Sequence, residues 1–253
     1  MADSTLLLPV GMAVAAGLVG CFALMRRMTL ASDALSHVAL PGIGVALLLH
    51  VQPVVGGLAA LLLGALLVWA LEYKTRLATE TVVGVVFSTA LAVGSLLTSG
   101  EDLIDALFGA PGAPGPAETG LGFVGAGLVV AFLLREKSRL VIALVSPDLA
   151  RTAGIHVARL HLLYLLAFSV SVALGLRYLG VLLMGSLVII PAATAKQLAR
   201  SLSSMLAIAV AAAVVSTLIG SYAAAALHHE AGPLTIAVAA TGFFVSLLGR
   251  RSG

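Results

Sequence analysis

RRMTLASDALSHVALPG, residues 26–42, runs two arginines straight into an apolar segment that carries an aspartate and a histidine four positions apart. On a helix, Asp33 and His37 are neighbours one turn apart on the same face. Ionisable side chains inside a hydrophobic span are expensive and mark a path, a relay or a binding site. A carboxylate with an imidazole is also a usable pair of ligands for a borderline divalent metal. The residue types leave two readings open: a metal-ligand pair, or an aspartate capping a helix start with a packed polar residue after it. Two side chains alone do not complete a metal site.

The rest of the chain sets the medium. Of its 253 residues 60% are hydrophobic and 10% charged, and the mean hydropathy is +1.14. A soluble domain carries about a quarter charged residues, so the expected fold is an all-α integral membrane protein. It is read as a single transmembrane domain over residues 1–253, with no room for a separate soluble one. The single cysteine, Cys21, excludes an internal disulfide framework and a cysteine metal cage. A net charge of +3 is too small to imply nucleic acid as a partner. Leu18-Val-Gly-Cys21 looks like a lipoprotein cleavage box, but Asp3 and no base precede it, so a first membrane span is the reading.

A crossing needs about 20 apolar residues, and the pattern predicts eight to nine. The segments are Leu6–Met25, a second holding Asp33 and His37 and ending near His50, Val54–Leu71, Thr81–Thr98, a short Leu121–Leu134, Leu162–Leu176, Leu179–Ala195, Met205–Leu227 and Leu234–Leu248. Nine crossings place the termini on opposite sides. With the C-terminus cytoplasmic and the N-terminus outside, all 14 basic residues except Arg177 fall inside, the bias that the positive-inside rule demands. The acidic Ser99–Gly120 stretch then lies outside. Alanine and glycine crowd the spans, which lets membrane helices approach closely.

Ser146-Pro147-Asp148 is a strong helix start: a capping hydroxyl, proline at the first helical position and an acid at the positive dipole end. Gly154 is placed to end that helix, so a short helix, Pro147–Ala153, is expected on the cytoplasmic side. It is either a surface stub or a knob for a cytoplasmic partner. Pro191 falls inside the seventh segment and removes a backbone bond; the freed carbonyl must face protein, water or an ion. His228-His229-Glu230 could catch a cation or touch a partner, although adjacent residues seldom converge on one ion. Arg177 either meets an acidic docking partner or snorkels. The chain contains no GxxxxGK[ST], HExxH or GxSxG string, so it lacks the parts for a phosphate loop, a zinc protease or a serine hydrolase.

Together the motifs resemble the metal-ion ABC transporter permeases, the membrane subunits of bacterial zinc and manganese uptake systems. The resemblance rests on Arg26-Arg-Met28 leading into Asp33-Ala-Leu-Ser-His37 and Leu40-Pro-Gly42, on Thr79-Glu-Thr-Val-Val-Gly84, and on Leu107-Phe-Gly109. Ser146-Pro-Asp-Leu-Ala150 with Gly154-Ile155, Ile189-Ile-Pro-Ala-Ala-Thr-Ala195 and Ala231-Gly-Pro233 complete it. It covers nearly the whole chain in order. Where the family more often has aspartate, this chain has Glu80.

The resemblance implies a permease subunit without its own ATPase, paired with a second copy as a homodimer in the lipid of the bacterial cytoplasmic (inner) membrane. Cytoplasmic ABC ATPase subunits and an extracytoplasmic metal-binding protein would be its partners. Asp33 and His37 would lie on the metal path, with Glu80, Ser186 and Pro191 as further path or gate positions. Pro147, Asp148, Leu149, Ala150 and Gly154 would form the coupling helix. Arg177, His228, His229 and Glu230 would be contacts for the binding protein. The cargo is read as zinc because two alanines follow Pro191, with manganese or iron as alternatives; Leu40-Pro-Gly42 is common in the manganese branch. A proton-driven secondary transporter would work without nucleotide, and a membrane enzyme would need a water-activating metal site with an open position.

Overall fold

A computed structural model describes residues 3–75, 77–97 and 115–248, and every regular element in them is a helix. In chain order these are α1 (Asp3–Met25), α2 (Thr29–Ser36), α3 (Ala39–Leu48), α4 (Pro53–Thr75), α5 (Thr79–Leu97), α6 (Pro116–Val145), α7 (Pro147–Thr152), α8 (Val157–Leu198), α9 (Leu202–Leu227) and α10 (Ala231–Leu248). Among the described residues six helical segments are long and apolar enough to cross a bilayer: Leu6–Met25, Pro53–Thr75, Thr79–Leu97, Val157–Leu176, Leu202–Leu227 and Ala231–Leu248. Asp33–Leu48 is a shorter apolar piece. These six are the spans that length and composition establish among the described residues; the α2–α3 piece, α6 and the second part of α8 are not in that count. Most of the acidic Ser99–Gly120 stretch, with Leu107-Phe-Gly109, lies outside the described residues.

Four segments differ from the sequence expectation, each for a physical reason. The second is two helices. Pro41 has no N–H for the carbonyl of His37, four residues back, and its ring crowds that carbonyl. Leu40 N–H bonds it instead at 3.1 Å, and the ladder restarts at Ala39. The fifth does not stop at Leu134. α6 runs 30 residues, about 45 Å at 1.5 Å per residue, so it outreaches a hydrocarbon core of about 30 Å. Its charged turn stays helical: Arg139 pairs with Glu136 at 3.1 Å, three residues apart.

The sixth and seventh segments form one 42-residue helical element, α8, that doubles back on itself. A Cβ at Gly175 would run into the Met184 side chain, with Cε at 3.0 Å. On a straight helix nine residues span about 13.5 Å. Residues 157–176 and 184–198 are thus two arms, and Pro191 lies in the second.

α1 is the centre of the bundle. In its apolar window 67% of residues are buried, against 28% for both α4 and α5. It packs on α6, α8 and α9, and Gly20 faces the Val188 carbonyl so closely that a Cβ would overlap it. Tyr164, fully buried, donates to the Val19 carbonyl at 3.2 Å, and Ser169 donates to Leu61 O at 3.1 Å. Such interhelical bonds contribute about 0.6 kcal/mol each in membrane proteins. The ends register. Leu8, Gln52, Glu118 and Leu174 line one cavity of about 280 Å³, whereas Arg26, Glu72 and His161 meet at the opposite end. α1, α4 and α6 accordingly run parallel, and the first arm of α8 runs against them.

Candidate functional site

The break between α2 and α3 shapes the chemistry of Asp33 and His37. The backbone N–H of His37 bonds Ala34 O, three residues back, at 3.2 Å. That tightening releases the Asp33 carbonyl from the helical ladder. Two side chains take it over: Ser36 Oγ donates at 2.6 Å and His37 Nδ1 lies 3.0 Å away. A carbonyl can only accept, so Nδ1 carries the ring proton and Nε2 keeps its lone pair. In metal sites a ligating histidine commonly donates its other ring N–H to a carbonyl in this way. The ring is held edge-on to Phe87 of α5, with centroids 5.6 Å apart at 83°.

The Asp33 side chain lies against Gly185 in the second arm of α8, where a Cβ would strike its carboxylate. Glycine there gives the carboxylate its room. Among the described residues no ion pair engages Asp33. Both residues are half-buried, and no group of three metal-ligand side chains forms among the described residues. Within one chain the described residues therefore supply two candidate ligands, Asp33 and His37.

Ser186 follows Gly185 and is half-buried. Glu80 is exposed in the first turn of α5, seven residues or about 10 Å of helix from Phe87. Pro191 is buried six positions beyond Gly185 and lines a cavity of about 480 Å³ between α8, α9 and α10. The fold brings Gly185 to Asp33 and Phe87 to His37, while Glu80 and Pro191 sit further along their helices.

The stub at 147 is a capped helix. Ser146 Oγ accepts from Leu149 N–H at 3.2 Å, and Asp148 pairs with Arg151 at 2.9 Å. It ends at Ala153 in a Schellman motif: Ile155 N–H bonds Ala150 O, Gly154 N–H bonds Arg151 O, and Gly154 has φ +75°. Ala150 is buried against the bundle and Leu149 is exposed. At the other end of the bundle His228 caps α9 in a left-handed conformation, and His228, His229 and Glu230 are all exposed. Arg177 belongs to the backbone of α8, and its side chain is outside what the structure describes.

The sequence reading missed one group: Arg26, Glu72 and His161, together at the end of α1. His161 Nδ1 contacts Arg26 Nη1, and His161 Nε2 lies 3.0 Å from Glu72 Oε2. Arg26 also stacks 4.8 Å over the Tyr164 ring. Burial pulls the Arg26 pKa below the ordinary guanidinium value, and Tyr164 and Glu72 oppose that fall. The available signal was a glutamate, Glu72, within an apolar run.

The model of the ABC 3 transport family matches residues 2–250. The manganese transport system membrane protein MntC of Listeria monocytogenes is 28% identical over 250 residues, 97% of this chain and 89% of the relative. The high-affinity zinc uptake system membrane protein ZnuB of Haemophilus influenzae is 31% identical over 240 residues, 92% of this chain and 91% of the relative. Among solved structures, PsaBC from Streptococcus pneumoniae in complex with Fab superposes with a TM-score of 0.83 at 26% identity, covering 97% of this chain and 90% of that one.

Proposed function

This chain belongs to the ABC 3 transport family, and on that premise we propose that it is the membrane permease of an ATP-driven importer of a divalent transition metal, with zinc as the cargo. The observation that carries this reading is the helix break: a carboxylate with no ion-pair partner among the described residues beside an imidazole whose Nδ1 is turned to a backbone carbonyl. An incomplete two-ligand site suits a path, which must release what it binds. Manganese and iron are the alternative cargoes. Zinc and manganese permeases are similar to this chain to nearly the same degree, and an Asp/His pair accepts either ion.

The whole chain acts as one permease domain with nine crossings: α1, the α2–α3 pair, α4, α5, α6, the two arms of α8, α9 and α10. This count is supported by the shared end of Arg26, Glu72 and His161 and by the opposed cavity of Leu8 and Glu118. The N-terminus is outside and the C-terminus cytoplasmic, in the bacterial inner membrane. Two copies pair, and cytoplasmic ATPases dock on α7, whose exposed Leu149 is the knob. An extracytoplasmic metal-binding protein docks opposite, near Arg177, His228, His229 and Glu230. Glu80, Ser186 and Pro191 border the path.

ATP-dependent uptake of zinc against manganese by the permease reconstituted with its ATPase and binding protein tests the reading. Zinc uptake that needs nucleotide is the expected result; uptake without nucleotide selects a secondary transporter. Leu149→Arg leaves the permease folded, since the residue is exposed, and abolishes the hydrolysis stimulated by the binding protein. Unchanged stimulation returns α7 to a surface stub.

A further inference from the structure

Arg26, Glu72 and His161 are separated by 46 and 89 positions in sequence and meet because α1 and α4 end where α8 begins. A guanidinium can only donate, so Nδ1 of His161 accepts from Arg26 and the ring proton sits on Nε2, facing Glu72. The cluster is thus a cation, a neutral ring and an anion, with His161 and Glu72 side chains only 17% and 15% exposed. It is not saturated. Glu72 Oε1 and His161 Nε2 are both buried without a hydrogen-bond partner among the described residues, although Nε2 lies 3.0 Å from Glu72 Oε2, and such partly satisfied buried groups are costly to leave as they are.

Its placement matters as much as its chemistry. Arg26 precedes α2, the Asp33 helix, by a turn in which Arg27 takes a left-handed φ of +58°. His161 follows the Schellman turn of α7 by one helical turn of α8. Beside the cluster a cleft of about 640 Å³ separates the end of α4 from the α7–α8 junction, walled by Trp69, Tyr73, Ile155, His156 and Arg159. The junction therefore has space around it, while Trp69 Nε1, donating to Ala158 O at 2.9 Å, and the His161 contacts hold it to α4 and α1.

We infer that Arg26, His161 and Glu72 form a positioning cluster that transmits displacement of α7 to the Asp33/His37 break. The inference rests on α7 being the coupling helix and on Asp33 and His37 being the metal pair. A movement of the α7–α8 junction draws His161, His161 draws Arg26, and Arg26 is joined by three bonds' worth of turn residues to α2.

The test uses the complete transporter, permease with ATPase and binding protein, in liposomes. Hydrolysis per assembled complex is measured with and without zinc-loaded binding protein, and zinc retention by the purified permease is measured by equilibrium dialysis. His161→Leu is expected to leave basal hydrolysis and zinc retention within about twofold and to cut stimulation about tenfold or more. His161→Gln, whose amide again offers an acceptor and a donor, is expected to restore at least half of it. Stimulation kept in His161→Leu, or lost in equal proportion with basal hydrolysis and not rescued by glutamine, overturns the role. Should His161→Leu not assemble, Glu72→Gln decides: it keeps the shape, and stimulation unchanged in it also overturns the role. Leu149→Arg separates the two levels. If it too leaves stimulation intact, the coupling reading of α7 falls; if it uncouples while His161→Leu does not, only the cluster's role falls.

Discussion

Two polar groups sit in this apolar bundle, and they use the same side-chain types to opposite effect. At the α2–α3 break a carboxylate and an imidazole are held by backbone, by Gly185 and by the edge of Phe87, and neither head group neutralises the other. At the end of α1 an imidazole stands between an arginine and a carboxylate, so that a cation and an anion flank one ring. The first group leaves its carboxylate outside any ion pair among the described residues. The second spends its capacity on tying three helices together. What separates them is the presence of a cation, not the kind of acid or ring.

The contrast can be broken most decisively by truncation. Asp33→Ala and His37→Ala are each expected to reduce metal uptake in proteoliposomes by about 100-fold or more, beyond the roughly 10–100-fold usual for groups that only hydrogen-bond a ligand, with the assembled complex recovered at wild-type yield. If uptake persists in both, the break is only a packing feature. The stability comparison comes next. Glu72→Leu removes the only carboxylate described beside Arg26 and His161 and is expected to cost about 3 kcal/mol, the lower end for breaking a buried pair because the Glu72 and His161 side chains are still 15% and 17% exposed. Asp33→Leu is expected to cost nothing or to stabilise, since it removes a half-buried carboxylate that no ion pair engages among the described residues. Thermal unfolding in detergent checks both, and equal losses in the two variants would erase the distinction.

Two smaller effects sharpen the first site alone. Gly185→Val places atoms where the Asp33 carboxylate lies, so zinc affinity by dialysis is expected to fall about tenfold or more, the range seen when a group that orients a ligand is changed. Affinity unchanged in that variant would mean the carboxylate has another place to go. Phe87→Leu removes the edge-to-face contact on His37, worth about 0.5–1.5 kcal/mol. A two- to tenfold rise in KM for uptake, with maximal rate kept, is the expected result.

Much of this was written locally. The all-helical membrane class follows from composition alone, because a chain with 10% charge cannot face water along its length. The Asp33/His37 pair is an i, i+4 relation, and the capped helix at Ser146–Gly154 is spelled out by serine, proline, aspartate and glycine within nine positions. Each is short-range, so neighbours in sequence suffice. The break at His37 was equally local: Pro41 stands four residues on, and its missing N–H falls on the histidine's own carbonyl.

Other features depended on contacts that no local pattern encodes. The charged turn Arg135–Arg139 reads as the end of a span, yet α6 continues through it because its charges pair and the helix outreaches the bilayer. The fold-back of α8 shows only when residue 175 is found beside residue 184. Residues 26, 72 and 161 look like an end-of-span arginine, a stray glutamate and a surface histidine until three helix ends are brought to one level. Gly185 is one of 27 glycines, and only the approach of the second α8 arm to α2 makes it the wall of the Asp33 site. Sequence determined which side chains could bind, cap or break a helix, because those properties belong to a residue and its near neighbours; tertiary structure decided which of them were neutralised and which left open, because that depends on what the other helices place within about 4 Å.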